Sequence, residues 1–76
     1  MRPEDVLYWL RAQPFRPFAL VTVTGKTYEV RHPEWIRLLR SSAIIFTPTE
    51  TAEVFDCAEM FSLMLIERIE PIMAAA

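Results

Sequence analysis

The ten residues Val21-Thr22-Val23-Thr24-Gly25-Lys26-Thr27-Tyr28-Glu29-Val30 constrain the fold more than any other stretch, because they turn on the only glycine of the chain. Two β-branched runs flanking a single permissive residue read as a β-hairpin. With Gly25-Lys26 as a two-residue loop, glycine takes the first central position of a type II′ turn, where positive φ costs it nothing. Thr24 then faces Thr27, Val23 faces Tyr28, Thr22 faces Glu29 and Val21 faces Val30. Apolar pairs fall on one side and polar pairs on the other, as in a half-buried antiparallel ladder. A loop at Thr24-Gly25 would instead pair Val23 with Lys26 and Ala19 with Val30, a poorer match of apolar positions.

Upstream, Pro3-Glu4-Asp5 is a helix start, with proline in the first turn and acids at the positive end of the dipole. The spacing predicts a helix over residues 3–12, with Val6, Leu7 and Leu10 as its apolar stripe and Tyr8 or Trp9 at the stripe's edge. It must stop before Pro14, since a residue preceding proline avoids the α region. Pro14-Phe15-Arg16-Pro17-Phe18 is a stiff connector with two aromatic anchors. Downstream, Pro33 interrupts the ladder for want of a donor. Residues 35–39 and 43–47 read as strands joined by a turn over Arg40-Ser41-Ser42, residues 48–52 as a loop, and residues 53–57 as a short strand. Residues 58–69 fit both a strand and a helix, because Ala58, Phe61, Leu65 and Ile69 recur at helical spacing. The expectation is one α+β domain over residues 1–76. An N-terminal helix precedes about five short antiparallel strands in a strongly bent sheet or small barrel over 18–70, and 71–76 form a tail.

Hydrophobic residues make up 53% of the 76 and charged ones 24%, more apolar material than a small monomer easily hides. Surplus of this kind points to a subunit interface, although a well-filled core with ordinary exposed apolar residues would account for it too. The net charge of −2 conceals a division. Residues 1–40 hold seven of the eight basic groups against Glu4, Asp5, Glu29 and Glu34, a balance of +3; residues 41–76 set Arg68 against Glu50, Glu53, Asp56, Glu59, Glu67 and Glu70, a balance of −5. Opposed halves allow head-to-tail contact between copies, in a ring or a filament, or neutralisation within one chain. Tryptophan and arginine are the residues enriched at binding hot spots, so Trp9, Arg16, Trp35, Arg37 and Arg40 are the candidate interface residues.

Chemical motifs are missing. With one glycine there is no phosphate cradle, and a lone His32 with a lone Cys57 supplies neither a metal site nor an oriented catalytic dyad. Neither a catalytic residue, a cofactor nor a metal is expected, and Cys57, in a short apolar strand, is expected to be buried and inert. Glu67 and Glu70 on a strand would point to opposite faces and do not read as an acid pair. Aromatics interleaved with arginines over residues 8–40 suggest a nucleic-acid stacking surface, but the negative net charge opposes phosphate neutralisation and favours packing instead. Without a basic-then-apolar leader, a disulfide partner or a stretch of membrane-spanning length, the expected setting is the cytoplasm.

Gln13-Pro14-Phe15-Arg16-Pro17-Phe18, the hairpin around Gly25, Val30-Arg31-His32-Pro33-Glu34 and Ser62 to Pro71 together resemble a family of short bacterial proteins with no established activity. The resemblance covers nearly the whole chain. In that family a histidine stands at the position of Leu65 and an apolar residue at that of Glu67, and the ending is a strand, which favours a strand over 63–69 here. The order of helix and strands is also similar to Sm-like and SH3-like small barrels. That resemblance implies rings and RNA binding through loop residues and a basic-glycine pair. This chain has no Arg-Gly pair and no Asp-x-x-x-Asn loop, so the RNA function attaches to none of its residues. The expected function is a non-enzymatic self-assembling or protein-interaction module. The alternatives are an Sm-like nucleic-acid binder and a small regulatory or antitoxin-like partner of another protein.

Overall fold

A computed structural model describes residues 1–51 and 53–72; the expected tail over 71–76 lies mostly outside the described residues. One helix and six strands follow in the order α1 (Pro3–Leu10), β1 (Phe18–Thr22), β2 (Thr27–Val30), β3 (Ile36–Leu38), β4 (Ser42–Pro48), β5 (Phe55–Ser62) and β6 (Ile66–Pro71). They form two antiparallel three-stranded sheets, ordered β2-β1-β6 and β3-β4-β5. The α+β class therefore holds.

Helix α1 starts where expected. The Asp5 carboxylate accepts from the Arg2 N–H at 3.2 Å, and the Asp5 N–H donates to the Arg2 carbonyl at 3.1 Å. It ends at Leu10, two residues short of the expected boundary, with the Arg11 N–H still bonded to the Leu7 carbonyl at 2.9 Å. Val6 is fully buried and Trp9 and Leu10 pack on the core, while Tyr8 is 78% exposed. Trp9, not Tyr8, therefore completes the apolar stripe. The connector lays Phe15 on Phe18 at 6.0 Å between ring centroids, and Trp9 meets the same ring at 5.7 Å.

The hairpin forms, but in a different register. Phe18 pairs with Val30, Ala19 with Glu29, Leu20 with Tyr28 and Val21 with Thr27. The loop has three residues, Val23-Thr24-Gly25, closed by the Gly25 N–H on the Thr22 carbonyl (3.0 Å) and the Thr22 N–H on the Lys26 carbonyl (2.8 Å). Gly25 has φ +90°, the left-handed position of a type I turn with a G1 bulge. Two causes select this arrangement over the II′ turn. The Thr22 hydroxyl, in a residue only 4% exposed, accepts from the Lys26 N–H and donates to the Lys26 carbonyl, both at 3.1 Å. A three-residue slip also exchanges the faces of β1. Phe18 and Leu20 enter the core in place of the smaller Val21 and Val23, and Val23 goes to the loop tip, 59% exposed.

Strand β1 is buried along its whole length. Phe18 and Leu20 meet Val6, Val30, Ile36, Ala43, Ile45, Leu63 and Ile66 in the single core. Ala19 and Val21, on the other face, lie between Glu29 and Thr27 of β2 and Glu70 and Arg68 of β6. Long charged side chains cover apolar neighbours with their stems in this way. Ion pairs hold that cover in place: Arg31 to Glu29 at 3.2 Å, Arg68 to Glu67 at 3.4 Å, and Arg68 to Glu70. Both glutamates singled out in the sequence are thus partners of one arginine.

Two short 3-10 turns carry the chain between sheets: Pro33–Trp35 after β2 and Leu63–Leu65 after β5. The first explains how Pro33 ends the ladder. The second overturns the helical alternative for 58–69, because Phe61 and Ile69 sit on different strands and Leu65 in the turn between them. The β3–β4 loop is Arg40-Ser41, with the Leu39 N–H donating to the Ser42 carbonyl at 2.8 Å. No helix among the described residues is long and apolar enough to cross a membrane.

Candidate interaction surface

Four strands lie at sheet edges, and they differ. Strand β3 has three residues and β2 four. Strand β6 has six, dense in charge and ending at Pro71; β5 has eight, with neither lysine, arginine nor proline. Strand β5 pairs only with β4, so its other edge presents main-chain donors and acceptors without a main-chain partner among the described residues. Such an edge, unless protected by basic residues or proline, is a template for another strand.

The two faces of β5 are used differently. Glu59 and Phe61 turn toward β2. Lys26 Nζ lies 2.8 Å from Glu59 Oε2, the Tyr28 hydroxyl donates to the same oxygen, and the Tyr28 ring stacks on Phe61 at 4.5 Å. Hydrogen bonding from Lys26, then from Tyr28, holds the Glu59 carboxyl below the ordinary carboxylate range. Burial, then the bond to Glu59, raises the Tyr28 phenol, and the bonds to Glu59 and Tyr28 raise Lys26. This cluster ties one sheet to the other. Of the ion pairs among the described residues it is the one that joins the basic and acidic halves of the chain.

On the opposite face, Arg37, Ile44 and Met60 form one cross-strand row and Phe46 and Ala58 the next. Phe55 packs on Phe46 at 5.1 Å. Met60 is 63% exposed, and Leu39 and Val54 are also exposed large apolar residues. Part of the apolar surplus therefore lies on one sheet, outside the core.

The expected interface residues separate into groups. Trp35 and Arg37 come together, lining a cleft of about 580 Å³ with Pro48 and Phe55 at one end of this face; His32 packs edge-on against Trp35 at 4.7 Å. Trp9 is half-buried against Phe18. Arg40 is exposed in the β3–β4 loop, and Arg16 is exposed between Pro14 and Pro17. Arg16, Arg37 and Arg40 have no carboxylate within ion-pair distance among the described residues.

Cys57 corrects its expectation: it is exposed, its thiol donating to Thr47 Oγ1 at 3.3 Å. An edge strand with both faces partly open does not hide its small residues. Among the described residues no group of three or more histidine, cysteine or acidic side chains is placed to hold a metal. Sequence reasoning missed β5 as the open edge. The signal available was its lack of basic residues and proline, which an ambiguous periodicity obscured. No family model, curated protein or solved structure matches the chain.

Proposed function

We propose that this protein is a non-enzymatic self-assembling module in which the free edge of β5 in one copy takes up the free edge of β6 from the next. The observation that carries the reading is the eight-residue β5 edge, unpaired among the described residues and without basic residues or proline, beside exposed Ala58 and Met60. Strand β6 is the favoured complement for two reasons. It is the second-longest free edge, and its Glu67, Arg68 and Glu70 bring one net negative charge to β5, whereas pairing β5 with β5 would gather Asp56 and Glu59 of both copies. The edges differ and lie on different sheets, so the contact is heterologous and closes into a ring or propagates as a filament. The two sheets share one core and are linked by 3-10 turns but keep open edges, so the likeness to ring-forming Sm-like small barrels rests on the order of helix and strands alone. A nucleic-acid role draws less support, because Trp9, Phe15, Tyr28 and Phe61 are engaged with other rings and do not form an open stacking platform.

Native mass spectrometry and sedimentation velocity test the proposal. A defined multiple of 8.9 kDa is expected, lost on Met60→Lys, whose melting midpoint at concentrations where both chains are monomeric should equal that of the unmodified chain. Monomer at all accessible concentrations contradicts it. A stoichiometric foreign protein on purification would favour the regulatory-partner alternative.

A further inference from the structure

Hydrogen bonds at the strand ends fix which main-chain groups the two free edges present. The Leu63 N–H donates to the Ser41 carbonyl at 2.9 Å, and Phe61 pairs with Ala43. Alternate residues of a strand direct their main-chain groups to opposite sides. Cys57, Glu59 and Phe61 therefore bond to β4, while Ala58, Met60 and Ser62 face the free edge. On β6 the Ile72 N–H donates to the Pro17 carbonyl at 3.1 Å, and Ala19 pairs with Glu70. By the same alternation Arg68 and Glu70 bond to β1, and Ile69 and Pro71 face the free edge. Pro71, which lacks an N–H, thus stands where β1 requires no donor.

The side chains of these edge-facing residues lie on opposite faces of their sheets. Ile69 packs against the core, whereas Ala58 and Met60 stand on the open outer face. Every strand pair among the described residues is antiparallel. In such a ladder, residues that exchange bonds stand opposite one another and share a face. Antiparallel addition must therefore oppose Ile69 to Ala58 or Met60 of the neighbour or, with only the strand ends overlapping, to Ser62. In each case the neighbour's sheet arrives turned over, with its outer face on the side of α1. Charge selects the register. Ile69 opposite Ala58 sets Arg68 against Glu59, whereas Ile69 opposite Met60 sets Glu70 against Glu59.

Between α1 and β6 lies a groove of about 510 Å³, lined by Met1, Glu4, Asp5, Tyr8, Trp9 and Ile69. Tyr8 is 78% exposed. With Ala58 opposite Ile69, Met60 follows on the same face toward the start of β6. That is the Met1 end of the groove, since the Met1 ammonium donates to the Leu63 carbonyl at 3.2 Å. The added β5 is the strand next to β6, about 4.8 Å away, so its side chains reach the groove directly. We infer that the groove receives Met60 of the next copy, with Tyr8 closing over the thioether. A flexible, polarisable side chain suits an irregular, partly aromatic site of this kind. The inference rests on the strand-addition reading and adds to it a side-chain socket that accounts for the exposure of both Tyr8 and Met60.

Cross-linking between two single-cysteine chains tests it. In a Cys57→Ala background, Tyr8→Cys and Met60→Cys alter exposed side chains, and far-ultraviolet circular dichroism with thermal melting establishes that each folds. A short bismaleimide should join the two in a mixture as a covalent dimer and give little dimer with either alone. Tyr8→Ala should weaken self-association by on the order of tenfold, as read by sedimentation velocity. The double variant Tyr8→Ala/Met60→Ala should be little worse than Met60→Ala, because the two residues share one contact. Association that Met60→Lys abolishes but Tyr8→Ala leaves unchanged would overturn the socket and leave strand addition standing. A mixture that assembles without cross-linking would do the same, as expected of parallel addition, which keeps Met60 on the face away from α1. A monomeric unmodified chain would remove both.

Discussion

The two sheets of this small protein treat their outer surfaces in opposite ways. In β2-β1-β6, the outward residues Ala19 and Val21 are buried under a layer of charged side chains locked by Arg31–Glu29 and Arg68–Glu67 pairs. In β3-β4-β5, Ile44 and Phe46 are half-buried and Ala58 and Met60 stand open, around a lone Arg37. One central strand, β1, is covered on both faces and both edges; one edge strand, β5, is paired on one edge and partly open on both faces. Both sheets feed the one core, but only the second leaves a long strand edge and apolar surface open.

That division is easiest to break at the core. Leu20→Ala, at a fully buried site between the sheets, should cost about 2–5 kcal/mol of folding stability. In so small a chain it should be visible as a large fall in urea midpoint. Met60→Ala on the open face should stay within about 0.5 kcal/mol of the parent while weakening assembly. Comparable losses of stability at the two sites would end the comparison.

Trp35→Ala sharpens it next. As an interface anchor it should cost about 2 kcal/mol per contact, read as a shift in the association curve. Gly25→Val follows: with φ +90° and no atom within 4 Å of an added Cβ, the cost is backbone strain alone, more than about 1 kcal/mol. Gly25→Asn should cost less, since asparagine tolerates the left-handed region.

The smallest effect belongs to the Lys26–Tyr28–Glu59 cluster. Glu59 is depressed in the folded state, so its contribution is present above the ordinary glutamate range and is lost as pH falls through its lowered value. Tyr28 and Lys26 are raised, so theirs is present below their ordinary ranges and is lost as pH rises through the raised values. The melting midpoint should therefore be level between about pH 5 and pH 9 and decline on both sides. Glu59→Gln should flatten the acid limb. The pair is exposed, and salt should shrink the effect.

Much of the scaffold was legible because single residues dictated it. Gly25 is the residue free to take a positive φ at a hairpin turn, Pro33 lacks a ladder donor, and Pro3-Glu4-Asp5 sets proline and acids where a helix begins. The hairpin register was not, since it turns on Thr22 donating and accepting at Lys26 and on Phe18 and Leu20 outweighing two valines. The ambiguity over residues 58–69 has a similar origin. Edge strand β5 shows weak alternation, and the helical spacing of Phe61 and Ile69 is a coincidence between two strands. Of the candidate surface, Trp35 and Arg37 were found by type. Pro48 and Phe55, which line the cleft with them, were not, because only the topology brings the end of β4 and the start of β5 to the turn before β3.

Hydrogen exchange followed across protein concentration tests the central claim most directly. The outward amides of Phe55–Ser62 and those of Ile66–Glu70 should gain protection together as copies associate, while the free edges of β2 and β3 exchange at an unchanged rate. Exchange along β5 that is independent of concentration, or protection that builds instead at β2 or β3, would contradict it.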